Sequence, residues 1–377
     1  MDNISEEIIA LFATYRRERV ASVKKIPQSG SIRVYYRVHT DKQTFIATYG
    51  INIKENESFI RFSRQFKTKG CPVPEIYAVN EEGTLYIQED FGDISLLNKL
   101  EEHGYTDYVF ELFQQSLKNL AQLQIRGDDG LDYENWCLTS SEFGKQAILS
   151  DLLYFKYYFL DTLQLPYDKE KLIADFENFA SDLSNVDYKY FMFRDFQSRN
   201  ILIENEKVHF IDYQGGMKGA LQYDVASMLW QAKAELSDEW KNSLLEYYMH
   251  CVEEELGKPI DRKRFTQQYR GYVLIRLMQV LGAYGFRGLF ERKAHFLISI
   301  PLGLKNLRDF LQNHFTGRDL PEFERVLNLI VEDQVIQRFV PLRAGAETPL
   351  VVHINSFSYK KGIPADASEN GGGCVFD

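Results

Sequence analysis

The side chains best suited to chemistry in this sequence sit where apolar ones are expected. The stretch FMFRDFQSRNILIENEKVHFIDYQ, residues 191–214, sets Asp195, Asn200 and Asp212 among Phe, Ile and Leu. A carboxylate withdrawn from water costs several kcal/mol unless something pairs with it. The runs Ile201–Ile203 and Val208–Ile211 pair as strands about an Asn205-Glu206 turn, which brings Asp212 beside Asn200. A carboxylate and an amide oxygen at one point are hard ligands that suit Mg²⁺ better than zinc. Asp195, slightly apart, is then free to accept a proton from a hydroxyl. Taken singly, Asp195 and Asn200 read as turn caps and Asp212 as a strand end. The three together, followed by Asp224, favour a base beside a metal site.

Elements on either side must hold these groups. Residues 5–19 have the pattern of an amphipathic helix, and β-rich runs at 34–39 and 44–49 flank a turn and predict a hairpin. Phe59, Phe62 and Phe66 recur at helical spacing, predicting a helix over 56–69 that Pro72 and Pro74 end. Short strands follow at 76–79 and 84–88, so residues 20–90 read as a small sheet with one helix. Beyond Asp93 the chain reads as helical near 106–126, 142–163, 168–184, 224–256, 261–283 and 294–312, interrupted by the hairpin. The fold class is α+β. The glycines of YQGGMKG (213–219) follow Asp212 and read as a turn, and those of LGAYGFRG (281–288) as close packing at a helix end.

RDFQSRN followed by IDYQ resembles the catalytic loop and metal-binding aspartate of the protein-kinase-like fold. With SIRVYYRV, YIQEDFGD and LQYDVASML, the likeness extends over roughly residues 20–310 to the aminoglycoside and choline phosphotransferase family. Within it, the chain is most similar to bacterial kinases acting on the anomeric hydroxyl of N-acetylated amino sugars. The resemblance implies two lobes, a small β-rich one (1–92) that binds the nucleotide and a larger helical one (93–336) with the catalytic loop and acceptor site. It implies ATP and Mg²⁺, with Asp195 as base, Asn200 and Asp212 as magnesium ligands, and Glu89, Asp90 and Phe91 as the hinge presenting backbone groups to adenine. Asp224 would brace the catalytic loop by accepting backbone N–H bonds. Gly30 and Ser31 would let backbone N–H groups approach the phosphates, although SGS is equally an ordinary turn. Two departures stand out: Phe193 replaces the usual histidine, and Thr48 lies where the ATP-phosphate lysine belongs. Arg33 is the preferred substitute cation and Lys54 the other candidate. Arg199 either faces the transferring phosphoryl group or the acceptor, or braces the loop through an ion pair.

The net charge of −10 over 377 residues speaks against a nucleic-acid groove in the kinase part and against an anionic membrane face. Four scattered cysteines form no CxxC pair and read as reduced thiols. Without an apolar leader or a run of about 18 apolar residues, a cytoplasmic location is expected. The expected function is ATP- and Mg²⁺-dependent phosphorylation of a sugar hydroxyl on a small-molecule acceptor, best an N-acetylated amino sugar. An aminoglycoside- or choline-type phosphotransferase and a nucleotide-binding pseudokinase module are the alternatives. After a linker at 337–349, the segment INSFSYKKGIPADA resembles the start of the carboxy-terminal domain of the RapZ family of RNase adaptors. Residues 350–377 would then be part of such a domain, whose complete form would offer an RNA or protein partner surface.

Overall fold

The computed structural model describes residues 3–27, 32–314 and 319–340. The chain divides into Met1–Phe339 and Val340–Asp377. Apart from Val340, the second unit, with most of the expected linker and the RapZ-like tail, lies outside the described residues. So do Gly30 and Ser31.

The amino-terminal lobe runs α1 (Asn3–Tyr15), β1 (Val20–Lys25), β2 (Val34–Thr40), β3 (Thr44–Tyr49), α2 (Ile53–Thr68), β4 (Ile76–Val79) and β5 (Leu85–Glu89). The strands form one antiparallel sheet in the order β1-β2-β3-β5-β4. Ile8 and Phe12 of α1 close one buried cluster against this sheet, with the Phe12 ring 5.1 Å from that of Phe45. Phe59, Phe62 and Phe66 of α2 instead join the main core, which continues into the second lobe. The aromatic stripe read from the sequence thus faces the other lobe.

The second lobe begins with α3 (Leu96–His103), α4 (Asp107–Asp128), α5 (Tyr133–Trp136), α6 (Lys145–Tyr158) and α7 (Lys169–Ser184). Four short strands follow: β6 (Lys189–Met192), β7 (Ile201–Glu204), β8 (Lys207–Phe210) and β9 (Met217–Ala220). The helices α8 (Leu221–Leu229), α9 (Asp238–Leu256), α10 (Arg262–Tyr284), α11 (Ala294–Asn313), α12 (Pro321–Ile330) and α13 (Asp333–Gln337) complete it. β7 and β8 pair antiparallel as expected, and Asn205 and Glu206 both take positive φ, 49° and 60°, the two-residue turn whose twist matches the strands. β6 pairs with β9, so the Gly-rich segment after Asp212 is a returning strand.

Several expected helices are shorter than their periodicity suggested. The first ends at Tyr15, and Val20 opens a strand that the sequence reading missed. The run 142–163 becomes α6 and a separate 3-10 turn, Leu160–Leu163. The run 224–256 breaks because Glu235 takes a left-handed φ of 42° and Ser237 starts α9, its side chain accepting from the Trp240 N–H.

Arg262–Phe290, α10 with the π turn that follows it, is long and apolar enough by composition to cross a membrane, which the sequence reading had not noticed; more than half of its most apolar window is buried in the protein. Such a helix is apolar because it is a core element packed against α6, α8 and α11. Its glycines are there for close approach: a Cβ at Gly282 would lie 3.0 Å from the Phe155 N, and one at Gly285 only 2.2 Å from the Tyr158 carbonyl oxygen. Because backbone cannot rotate away as a side chain does, Gly285→Ala must push α10 off α6. We expect a loss of at least about 2 kcal/mol, read as a lowered urea midpoint, while an alanine at the unobstructed Gly215 serves as the control.

Candidate active site

The catalytic-loop segment leaves β6 through a turn that its own residues fold. Asp224, the fourth residue of α8, is fully buried, and its two oxygens accept from the Phe193 N–H at 2.7 Å, the Arg194 N–H at 2.9 Å and the Gln124 side-chain amide at 2.9 Å. Burial pushes this carboxyl up to about 7, against the pull of those donors and of the Arg276 guanidinium. The expected bracing role of Asp224 is therefore visible in its hydrogen bonds. Phe193, in the place usual for histidine, is fully buried and meets Phe196 at 5.2 Å and Tyr213 at 5.7 Å edge to face. An apolar ring fits there because its surroundings are aromatic.

Arg194 takes a left-handed φ of 82°, uncommon for a side chain of this size. Its guanidinium holds it there, 2.8 Å from Asp151 Oδ1 and stacked 4.6 Å over the Phe143 ring. The turn sends Asp195 outward, its side chain 45% exposed, with Oδ1 3.3 Å from Nη1 of Arg276. Arg276, on α10, is buried, and the same nitrogen donates to Gln279 at 2.7 Å. Asn200 closes the loop: its side-chain amide donates to the Asp195 carbonyl at 2.9 Å and approaches Asp212 Oδ2 at 3.4 Å. The amide nitrogen is thus committed, which turns Oδ1 into the available donor atom toward a cation.

Asp212 itself sits at a φ of 73°, a strained setting for a non-glycine residue. Tyr213 locks it from behind, stacked on Phe59 at 4.9 Å and hydroxyl to hydroxyl with Ser63 at 2.5 Å. In front, Asp212 Oδ1 meets Arg33 Nη2 at 3.1 Å and accepts from the Gln214 amide at 3.0 Å. Arg33 Nε lies 3.2 Å from Glu55 Oε1 in the first turn of α2. Two carboxylates face one guanidinium, so the group carries one uncompensated negative charge. Together with the Asn200 oxygen, that oxygen-only set fits a magnesium ion.

Of the two candidate phosphate cations, Arg33 reaches this group, whereas Lys54 is exposed and pairs with none of it. Thr48 is fully buried within the sheet. At the expected hinge, the Glu89 carboxylate accepts from Lys67 at 2.9 Å and from the Glu75 N–H at 3.1 Å. The Asp90 and Asp93 carboxylates are both held by the Arg37 fork, at 2.7 and 2.6 Å, and Phe91 stacks on His209 at 3.9 Å. Arg199 is exposed and makes no ion pair among the described residues, which leaves the brace alternative without a partner. Both the Arg199 and Arg276 charges act on the Tyr284 phenol, which burial raises.

The sequence reading missed Arg276, Gln279, Glu55, Gln214 and Tyr284. Glu55 alone had a local signal, as an acid in the first turn of the helix carrying the phenylalanine stripe. Asp128, Asp129 and Asp132, which a polycationic acceptor could otherwise use, have structural partners: Asp128 accepts from the Tyr133 hydroxyl, Asp129 pairs with Lys69 and Asp132 caps α5. A further group, Asp238, Asp309 and His314, is closed by the Lys241 ammonium, 3.4 and 3.3 Å from the two carboxylates.

Residues 22–257 match the phosphotransferase enzyme family. The N-acetylmuramate/N-acetylglucosamine kinase of Neisseria meningitidis serogroup B is 22% identical over 243 residues, 63% of this chain and 70% of that protein. Among solved structures, a choline kinase of Cryptosporidium parvum superposes with a TM-score of 0.57 at 13% identity, covering 86% of this chain and 99% of that one. An amicoumacin kinase in complex with AMP-PNP and Ca²⁺ gives 0.56 at 10% identity, covering 91% and 96%. These likenesses establish the two-lobed kinase fold.

Replacing Asp224 tests the brace directly. Asp224→Ala leaves three donors without their acceptor, and at about 1–3 kcal/mol for each buried orphan we expect at least about 3 kcal/mol of lost stability by chemical denaturation. The sign with pH follows from the raised carboxyl. The native state binds this proton more tightly than the unfolded chain, so the group's contribution is full below about pH 4 and is lost as pH rises through about 7. Asp224→Asn should flatten that part of the stability profile.

Proposed function

Because this chain belongs to the phosphotransferase enzyme family, we propose that it transfers the γ-phosphoryl group of ATP to a hydroxyl of an N-acetylated amino sugar. That it is a small-molecule kinase with a hydroxyl acceptor follows from the family; the sugar is the finer reading. The observation that carries it is the charge around Asp195. Arg276 pairs with that carboxylate, Arg199 stands exposed nearby, and Arg194 already neutralises Asp151. Guanidiniums at the acceptor side repel a polycation such as an aminoglycoside, or a quaternary ammonium such as choline, and tolerate a neutral or acidic sugar. The relative named for two N-acetylated amino sugars supports the same choice.

In this reading Asp195 accepts the acceptor's proton as the hydroxyl oxygen bonds to phosphorus and the bond to the ADP oxygen breaks. Arg276 holds the Asp195 carboxylate in one orientation, and the anchored Asn200 amide ties the loop to Asp212. Asn200 and Asp212 would hold magnesium, which when bound neutralises charge on the phosphate oxygens. Glu89, Asp90 and Phe91 form the segment that presents backbone groups to adenine, with Arg37 and His209 fixing its side chains. Arg199 supplies a guanidinium for charge spreading over the phosphoryl oxygens.

The test is ADP release against a panel of N-acetylated amino sugars, choline and aminoglycosides. Turnover confined to choline or aminoglycosides would sink the sugar assignment. With the productive acceptor, Asp195→Asn should keep nucleotide affinity and lose about 10²–10⁴ in rate; turnover at the wild-type rate removes Asp195 as the base. Arg199→Lys should lower kcat while melting temperature and the acceptor KM barely move, since a point charge does not reproduce the planar fork.

A further inference from the structure

Protein kinases carry their phosphate-binding lysine on the third strand and pair it with a glutamate of the helix that follows. In this chain β3 and α2 occupy those places in the sheet order, yet β3 offers Thr48. The strand register shows what stands around it. Thr48 lies opposite Tyr35 on β2 and opposite Tyr86 on β5, so these three side chains share one face of the sheet. Arg33, two residues before Tyr35, projects to the same face, and its guanidinium and Thr48 both face the fully buried Tyr86 phenol. From there Arg33 reaches Glu55 at 3.2 Å and Asp212 at 3.1 Å. The path is opened by Gly50, where a Cβ would sit 3.1 Å from Arg33 Cγ and 2.7 Å from Asn56 Oδ1. Asn56 is itself fixed to the carbonyls of Gly50 and Gly83 at 2.8 and 2.9 Å.

We infer that the nucleotide-phosphate cation has moved across one strand of the sheet. Arg33 takes the place of the β3 lysine, Glu55 anchors it, and residue 48 still addresses the same spot, so that a lysine there substitutes for Arg33. This rests on the kinase reading above and deepens it by assigning the cation, its carboxylate partner and their interchange with β3. Glu55 is a positioning residue: it pairs with one guanidinium nitrogen while a second meets Asp212, the oxygen ligand set of the second lobe. A buried lobe-to-lobe ion pair with no contact to nucleotide is the competing role, and it makes different demands on the experiment.

The experiment compares full-length wild type, Arg33→Met and Arg33→Met/Thr48→Lys. ATP kinetics are followed by ADP release at saturating acceptor, and ADP affinity by thermal-shift titration in EDTA, which reads the cation without metal. Arg33→Met should lower kcat/KM for ATP by roughly 10²–10³, as for loss of one preorganised charge-stabilising donor, weaken metal-free ADP binding at least about tenfold, and leave the acceptor KM within about threefold. Thr48→Lys in that background should recover at least about tenfold of the loss. If Arg33→Met does not fold because Glu55 and Asp212 are left facing each other, Arg33→Met/Glu55→Gln removes one charge of each sign and replaces it as the parent. A folded variant with wild-type ATP parameters and only a lower melting temperature overturns the inference in favour of the plain ion pair. So does a double variant that melts like wild type and recovers nothing. Activity restricted to acceptors other than amino sugars contradicts the proposed acceptor alone, because the Arg33 comparison runs on whichever acceptor is turned over.

Discussion

A carboxylate buried without water must find donors, and Asp224 finds three, two of them the consecutive peptide N–H groups that begin the loop after β6. Everything downstream depends on that capture. It sets the direction in which the chain leaves β6, it leaves Arg194 in a left-handed conformation that its pairing with Asp151 and its stacking on Phe143 maintain, and it thereby turns Asp195 outward. Charge that is costly to bury is spent on fixing backbone, a use for which an apolar residue has no means.

The same economy recurs at the junction of the lobes. Arg33 comes from the sheet and Asp212 from the second lobe, and their ion pair is backed by Tyr213, whose ring stacks on Phe59 of α2. The Asp212 end of the hairpin is thus registered against the amino-terminal lobe by one polar and one aromatic contact. Arg33 is buried while Asp212 is partly open to solvent, so removing the carboxylate leaves a buried charge short of a partner, and the two lobes constrain each other's residue choices at this point.

How much of this was legible depended on distance along the chain. Asp195, Asn200 and Asp212 flank one short hairpin, so strand pairing and turn chemistry sufficed to bring Asn200 within 3.4 Å of Asp212. Arg33 was singled out because its loop should cover the nucleotide; that it threads past a glycine to meet Glu55 is a tertiary fact. Arg276, 81 residues from Asp195, sits in a stretch of α10 buried on every side, Gly271–Met278, whose lack of periodicity gave no hint that one of its side chains serves the site. Helix ends were the weakest inference, because a single capping residue such as Ser237 outweighs a long run of favourable periodicity.

The segment joining the lobes is fastened on both sides of a very short interval. Arg37 of β2 grips Asp90 and Asp93 together, and beyond them Ile94 accepts from the Ile203 N–H while Ser95 bridges to Leu202, tying the chain to the β7–β8 hairpin. Between the two gripped aspartates stands Gly92, at a φ of 79° and with open space where a Cβ would be. The glycine is itself pinned, its N–H donating to the Asp90 carboxylate at 3.0 Å. The link is therefore a clamped axle, and any hinging of one lobe on the other would work against the arginine fork, whose grip sets how stiffly the jaw is sprung.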